Sequence, residues 1–332
     1  MHTRQLGPFK VSAIGLGCMN MSMGYGPADD DEVSARLLNE ALDAGYSFLD
    51  TATIYGMGHN ETLIGRTLRG RRNEFTLASK CGILKNERGE TESNGRPEVL
   101  KRTCEESLRR LQTEVIDLYY LHRVDPDVPV EESVGQLSDL VAEGKIQTIG
   151  LSEVSSETLR RAHAVHPITA LQSEYSLWSR TPERKVLATC RELGVAFVPF
   201  SPLARGFLAD NSRDLSTLAE DDLRATIARP RFEVENYRKN IRLLTPFREI
   251  AEAQGCTVAQ LALAWILARD EQSLIPIPGT KHIDYMHENA GAGDIVLDES
   301  VVEALDQLIN EETVAGTRYT AALMASTDSE RD

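Results

Sequence analysis

Asp50, Tyr55, Lys80 and His122 are of types that could move a proton together. Asp50 closes the apolar run "FLD", where a carboxylate adds nothing to packing, and Tyr55 follows in the glycine-containing loop "TATIYGMGHN". Lys80 closes "FTLASK" and His122 closes "IDLYYLH". A lysine beside an aspartate forms a pair that tolerates burial. The same ammonium favours the phenolate of a nearby tyrosine and lowers its pKa. The expectation is a Tyr55 tuned downward by Lys80, able to give a proton to an oxygen that is gaining negative charge. His122 would orient that oxygen through a hydrogen bond. Singly, Asp50 and Lys80 suit a structural ion pair, and His122 suits a satisfied core histidine. Four such groups at successive strand ends favour a reaction centre, because in a closed parallel barrel those ends converge on one mouth.

Elements able to hold such a mouth recur along the chain. Strand-length apolar runs stand at 13–17, 48–50, 75–80, 116–122, 146–152, 168–174, 196–201 and 273–279. Amphipathic helical patterns fall at 31–44, 60–69, 97–111, 131–143, 155–165, 181–193 and 257–269, with two more at 282–290 and 298–309 after the last strand. Ser155, Thr181 and Thr257 stand where N-caps belong, and Gly45, Gly144 and Gly194 where helices close. Strict alternation predicts an α/β fold, a (β/α)8 TIM barrel with two extra C-terminal helices. The opening "TRQLGPFKVS" predicts a short β-hairpin turning at Gly7-Pro8, placed to plug the barrel bottom. An open doubly wound sheet would carry a Gly-x-Gly-x-x-Gly turn, and "GLGCMN" lacks the third glycine. One barrel domain spanning 1–332 is expected, with a long loop at 203–240 and a fraying polar tail from about 320.

The net charge of −15 repels phosphate backbones and anionic membranes, so nucleic-acid and membrane-surface roles are not expected. No apolar run of spanning length and no leader pattern is seen, which predicts a cytoplasmic protein. Cys18, Cys81, Cys104, Cys190 and Cys256 are odd in number and scattered, which suits free thiols. His163 and His166 lack a nearby carboxylate ligand and read as surface residues, so no metal is expected.

The stretches "GLGCM", "FLDTATIYGMGHNETLIGRTL", "LASKCG", "IDLYYLHRVDP", "EGKIQTIGLSEV", "LQSEYSLWSR", "VPFSPLARGFL" and "IPIPGTKHIDYMHENAGA" occur in order over nearly the whole chain. In them the chain resembles the aldo-keto reductases. The resemblance implies a catalytic tetrad at Asp50, Tyr55, Lys80 and His122, and NADPH bound in extended form across the barrel mouth without a dinucleotide turn. It implies reduction of a small-molecule aldehyde or ketone, with Tyr55 as general acid. A related possibility is a redox-sensing subunit of the same fold with little turnover, which the intact tetrad disfavours.

By the same resemblance, Ser152 and Gln172 hold the nicotinamide carboxamide and Phe200 stacks on its ring. Ser201, Pro202, Leu203, Arg205 and Gly206 line the pyrophosphate. Gly17, Cys18, Met19 and Asp50 lie along the cofactor. Gly279, Thr280, Lys281 and His282 face the 2′-phosphate, and Glu288 and Asn289 meet the adenine. Many members have lysine where Gly279 stands and arginine where Tyr285 stands, which leaves Lys281 to supply much of the positive charge. The substrate pocket is expected to take in Met19, Tyr55, His122 and Trp178. Met21, Met23 and Tyr25 extend an apolar wall, and the loop after His122 and the 203–240 segment shape the rest.

Overall fold

The computed structural model describes residues 1–86, 88–209, 214–270 and 273–332. Seven parallel strands stand side by side: Leu16–Gly17, Phe48–Asp50, Thr76–Cys81, Ile116–Leu121, Ile146–Ser152, Ile168–Glu174 and Ala196–Phe200. Residues 273–279 fill the eighth position and close the barrel. On one side the Ile275 and Ile277 amides donate to Phe197 and Pro199 (3.0 Å each). On the other, the Pro276 and Pro278 carbonyls accept from Gly15 and Gly17 (2.9 and 3.2 Å). The prolines have no N–H to return to the first strand, so that seam carries half a ladder and the eighth segment is irregular. This is why eight sequence runs become seven regular strands and one extended segment.

Two apolar layers explain the strand patterns. Phe48, Ala78, Leu118, Tyr120, Ala170, Val198 and Ile275 pack inside the barrel, joined from below by Leu6 and Val11 of the hairpin Thr3–Leu6/Phe9–Ser12. The opposite strand faces, with Leu49, Leu77, Tyr119, Ile149, Leu171 and Phe197, pack against the surrounding helices. Strands covered on both faces read as continuous apolar runs rather than alternating ones. The helices Asp31–Asp43, His59–Leu68, Pro97–Leu111, Val130–Ala142, Ser156–Val165 and Val258–Ala268 agree with the predicted patterns within a residue or two. Ser155 accepts from the Thr158 amide, and Thr257 with Gln260 forms a capping box. Gly45, Gly144 and Gly194 have φ of 90°, 72° and 68°, the left-handed closure that glycine permits.

Several expectations are corrected. Thr181 is no cap: it begins a 3₁₀ turn, Thr181–Glu183, and the helix starts at Val186. The segment expected as loop holds Arg229–Phe232 and Val234–Asn240, followed by the unforeseen helix Leu244–Ala253; its residues 210–213 lie outside the described residues. A second hairpin, Ile83–Lys85/Thr91–Ser93, follows the third barrel strand. The tail is folded rather than frayed. A third C-terminal helix, Ala321–Ser326, leads to Asp328, which accepts from the Ser155 amide (2.7 Å), and Ser329, which donates to Glu153 (Oγ to Oε2, 2.8 Å). The helix buries none of its residues; polar contacts hold the segment, with Arg318 and Ser329 donating to Glu153 and the Ser155 and Ser156 amides donating to Asp328 and Asp332. Among the described residues no single helix is long and apolar enough to cross a membrane.

Candidate active site

Three strand ends bring the proton-handling groups together. Gly17 pairs with Asp50, Asp50 with Ala78, and Lys80 with Tyr120, so Asp50 and Lys80 rise side by side into the mouth. Lys80 is wholly buried and Asp50 nearly so, and the two form an ion pair. The Lys80 ammonium also donates to the Thr51 carbonyl (2.9 Å) and to the Tyr55 hydroxyl (3.3 Å). The second oxygen of Asp50 accepts from Gln172 Nε2 (2.7 Å). The His122 ring stands edge-on to Tyr55 at 6.0 Å, and its Nδ1 has no hydrogen-bond partner among the described residues.

The loop carrying Tyr55 is held from behind. Asn60 accepts from the Thr51 hydroxyl (2.6 Å) and donates to the Cys18 carbonyl (2.8 Å). Glu61, one turn into the helix, is fully buried, accepting from Ser79 (2.5 Å) and Arg110 (2.7 Å). Gly56 and Gly58 take φ of 58° and 91°. A side chain at Gly58 would strike Arg110, which is why the loop carries glycine there.

Electrostatics correct one expectation. The Tyr55 pKa is raised rather than lowered: burial is the larger influence, and Lys80 offsets only part of it. Burial likewise raises Asp50 against the pull of Lys80. Lys80 is raised too, since Asp50 and Tyr55 outweigh the burial that opposes its charge. Burial, then Lys80 and Arg123, push His122 well below the usual imidazole range, so it stays neutral. The site holds a protonated phenol and a neutral imidazole against a buried cation.

Above this floor opens a cavity of about 360 Å³. Asp50, Tyr55 and His122 line it, with Lys80 beneath. Every residue expected along a cofactor lines it except Cys18: Gly17, Met19, Ser152, Gln172, Phe200, Ser201, Pro202, Leu203, Arg205, Gly206, Gly279, Thr280, Lys281, His282, Glu288 and Asn289. The Cys18 side chain is fully buried, its thiol turned toward the Leu16 carbonyl and its pKa raised by burial. Trp178 is also corrected. It is buried behind the wall, stacked on Phe207 at 4.2 Å, and does not line the cavity. Met23 and Tyr25 do line it, and Met21 is buried in the core.

One end of the cavity has an unusual backbone. Ser201, Ala204, Arg205 and Gly206 have φ of 49°, 50°, 58° and 91°, an uncommon left-handed run for non-glycine residues. At the other end Lys281 is held near the rim, donating to the Pro27 carbonyl (2.9 Å) with Asp29 at 3.5 Å. Among the described residues no cluster of ligands could hold a metal ion.

The part the sequence reading missed is a buried ionic layer beside the cavity. Glu153 and Glu174, following and closing adjacent strands, face Arg205, Arg231 and Arg318. Arg318 donates to both Glu153 oxygens (Nη1 3.1 Å, Nη2 2.5 Å) and to Glu330 (2.5 Å). Burial opposes the charge on Glu153, but Arg318 prevails and holds its pKa at about 2. Tyr319, under the Arg318 and Arg205 guanidinium groups, lines the cavity. Nothing in "GTRYTAAL" marks these residues; the only signal is a lone Arg-Tyr in a polar stretch.

Comparison with known proteins places this architecture. Residues 13–310 match the aldo/keto reductase family. The chain is 41% identical over 312 residues to the probable aldo-keto reductase 1 of Glycine max, covering 94% of this chain and 89% of that one. Among solved structures it is similar to a glycerol dehydrogenase from Gluconobacter oxydans (28% identity, TM-score 0.84, 92% of this chain and 94% of that chain). It is also similar to an aldo/keto reductase from Klebsiella pneumoniae in complex with NADP and acetate (29% identity, TM-score 0.74, 96% and 98%). A likeness of the same extent is found to an aldo-keto reductase from Klebsiella pneumoniae in complex with NADPH (30% identity, TM-score 0.73). With sequence and fold in agreement across the barrel, the chain belongs to the aldo/keto reductase family.

Proposed function

We propose that this chain reduces an aldehyde or ketone to an alcohol with NADPH, and that Tyr55 is its general acid. The observation that carries the reading is the reach of Lys80 to both Asp50 and Tyr55, beneath a cavity that Tyr55 and His122 share. The residues fit NADP(H), the cofactor of similar Klebsiella pneumoniae proteins. An aromatic ring, Phe200, and the Arg205 guanidinium line the cavity, and Lys281 supplies a further cation at its rim. When bound, the dihydronicotinamide supplies hydride.

The chain's own groups do the rest. Tyr55, whose pKa burial raises above the ordinary phenol value, is protonated at working pH and can donate as the substrate oxygen gains charge. Lys80, fixed as a cation by Asp50, stabilises the phenolate left behind. Neutral His122 orients the oxygen, and its low pKa keeps it from competing for the proton. Ser152 and Gln172 position the carboxamide, with Gln172 itself oriented by Asp50. Reduction of a simple aromatic aldehyde by purified protein, followed as NADPH consumption, tests the reading. An absence of turnover with NADPH bound would favour a sensing role.

A further inference from the structure

The motif "LHRVDP" places an arginine directly after His122, and the reaction just proposed gives it no task. Arg123 lines the cavity and lies close enough to Tyr55 and His122 to influence both. Its Nη1 donates to the His122 carbonyl (2.6 Å) and to the Ser152 hydroxyl (3.0 Å). Both partners are neutral, and Nε and Nη2 make no hydrogen bond among the described residues. That edge of a guanidinium is a planar two-donor fork matched to a carboxylate.

The other cationic side chains around the cavity differ. Arg205 pairs with Glu174, Arg224 with Asp222, and Lys281 with Asp29. Arg123 has no carboxylate within ion-pair distance among the described residues; Glu153 feels its charge but is held by Arg318. Asp125, two residues on, is turned away, accepting from the Gly95 and Asp127 amides (2.9 Å each). In a chain of net charge −15, an arginine beside the reacting groups with no ion-paired carboxylate among the described residues stands out. The two backbone and hydroxyl contacts fix its plane, so little freedom is lost when the fork is filled.

We propose that Arg123 is a specificity-determining residue, and that the substrates this site prefers carry a carboxylate next to the carbonyl being reduced. The inference rests on the reductase reading. Nη1 stays anchored while Nε and Nη2 grip the carboxylate, which sets the carbonyl oxygen toward Tyr55 and His122. The C=O π bond then opens as hydride from NADPH forms the new C–H bond and the Tyr55 proton forms the O–H bond. The products are a hydroxy acid and NADP⁺.

The test compares phenylglyoxylate with its methyl ester, which differ in charge at one group. The value of kcat/KM is measured for both in the parent, Arg123→Leu and Arg123→Lys. The ratio of acid to ester cancels any shared effect on cofactor or fold. It should fall about 10- to 150-fold in Arg123→Leu, the span of one charge-assisted hydrogen bond, mainly through KM for the acid. Arg123→Lys should keep part of it. Phenylglyoxylate should raise the melting temperature of the parent more than the ester does, and that difference should vanish in Arg123→Leu. An unchanged ratio, with acid and ester losing equally, would overturn the proposal while leaving the reductase reading intact. Failure of the parent to reduce either compound or any neutral aldehyde would instead remove both.

Discussion

Replacing Lys80 with methionine separates the structural from the chemical work of the buried pair. The side chains are close in length, so the change removes a charge and leaves little cavity. Asp50 keeps only its bond from Gln172. Breaking a buried ion pair by deleting one partner costs about 3–5 kcal/mol. An unfolding entropy of about 2.1 cal/mol/K per residue gives roughly 0.7 kcal/mol/K for 332 residues, so the melting temperature should fall by about 4–7 °C near neutral pH. Burial already raises the Asp50 pKa, and loss of Lys80 raises it further. A carboxyl raised in the folded state is stabilising while protonated, and that contribution is lost as pH rises through its folded value. The deficit relative to the parent should therefore shrink toward acid and widen toward neutral pH. Adding Asp50→Asn should recover most of it while leaving reduction impaired by about 10²-fold or more, since Tyr55 still lacks its cation. Calorimetry at several pH values, with aldehyde reduction assayed in parallel, checks both halves. A deficit independent of pH and untouched by Asp50→Asn would refute the account of the pair.

Tyr55→Phe should retain NADPH binding, measured by fluorescence titration, and lose about 10²–10⁴-fold in reduction rate; a parent-like rate would remove Tyr55 from the proton step. Lys281→Ala should weaken NADPH by about 10- to 150-fold and leave NADH nearly unchanged, whereas Asp29→Asn, which frees Lys281, should tighten NADPH; equal losses for both cofactors would assign Lys281 to the loop's shape. Arg318→Ala should cost about 3–5 kcal/mol at neutral pH by leaving Glu153 unpaired. The Glu153 pKa of about 2 against an ordinary 4.5 means its contribution is present above about 4.5 and lost as pH falls toward 2, so parent and variant melting temperatures should converge over that window. A gap that persists through acid would place the Arg318 effect elsewhere.

The barrel was legible because its signals are local. Runs such as "IQTIGLS" and "ITALQSE" match their strands residue for residue, and "TVAQ" announces a capping box. The converging strand ends were legible for the same reason, since alternation alone places Asp50, Lys80 and His122 on one rim. What escaped depends on partners far apart in sequence. Burial outweighs Lys80 at Tyr55, and depth cannot be read from neighbours in the chain. Trp178 looks like a pocket aromatic until Phe207 is seen stacked on it. The helices 229–232 and 234–240 are too short and too charged for a periodic signal.

The folded tail has a consequence for how the protein is made. Glu153 and Glu174 lie in the middle of the chain and are synthesised well before Arg318, which follows all the barrel strands. Domains tend to assemble from the N-terminal side as the nascent chain lengthens. A barrel that closed before residue 318 emerged would bury two carboxylates, with Arg205 and Arg231 beside Glu174 but only the Glu174 amide bonded to Glu153, whose guanidinium partner is still to come. Closure and completion are thus separate events in time, and the part of the cavity wall that holds Tyr319 is the last part of the mouth to be finished on the ribosome.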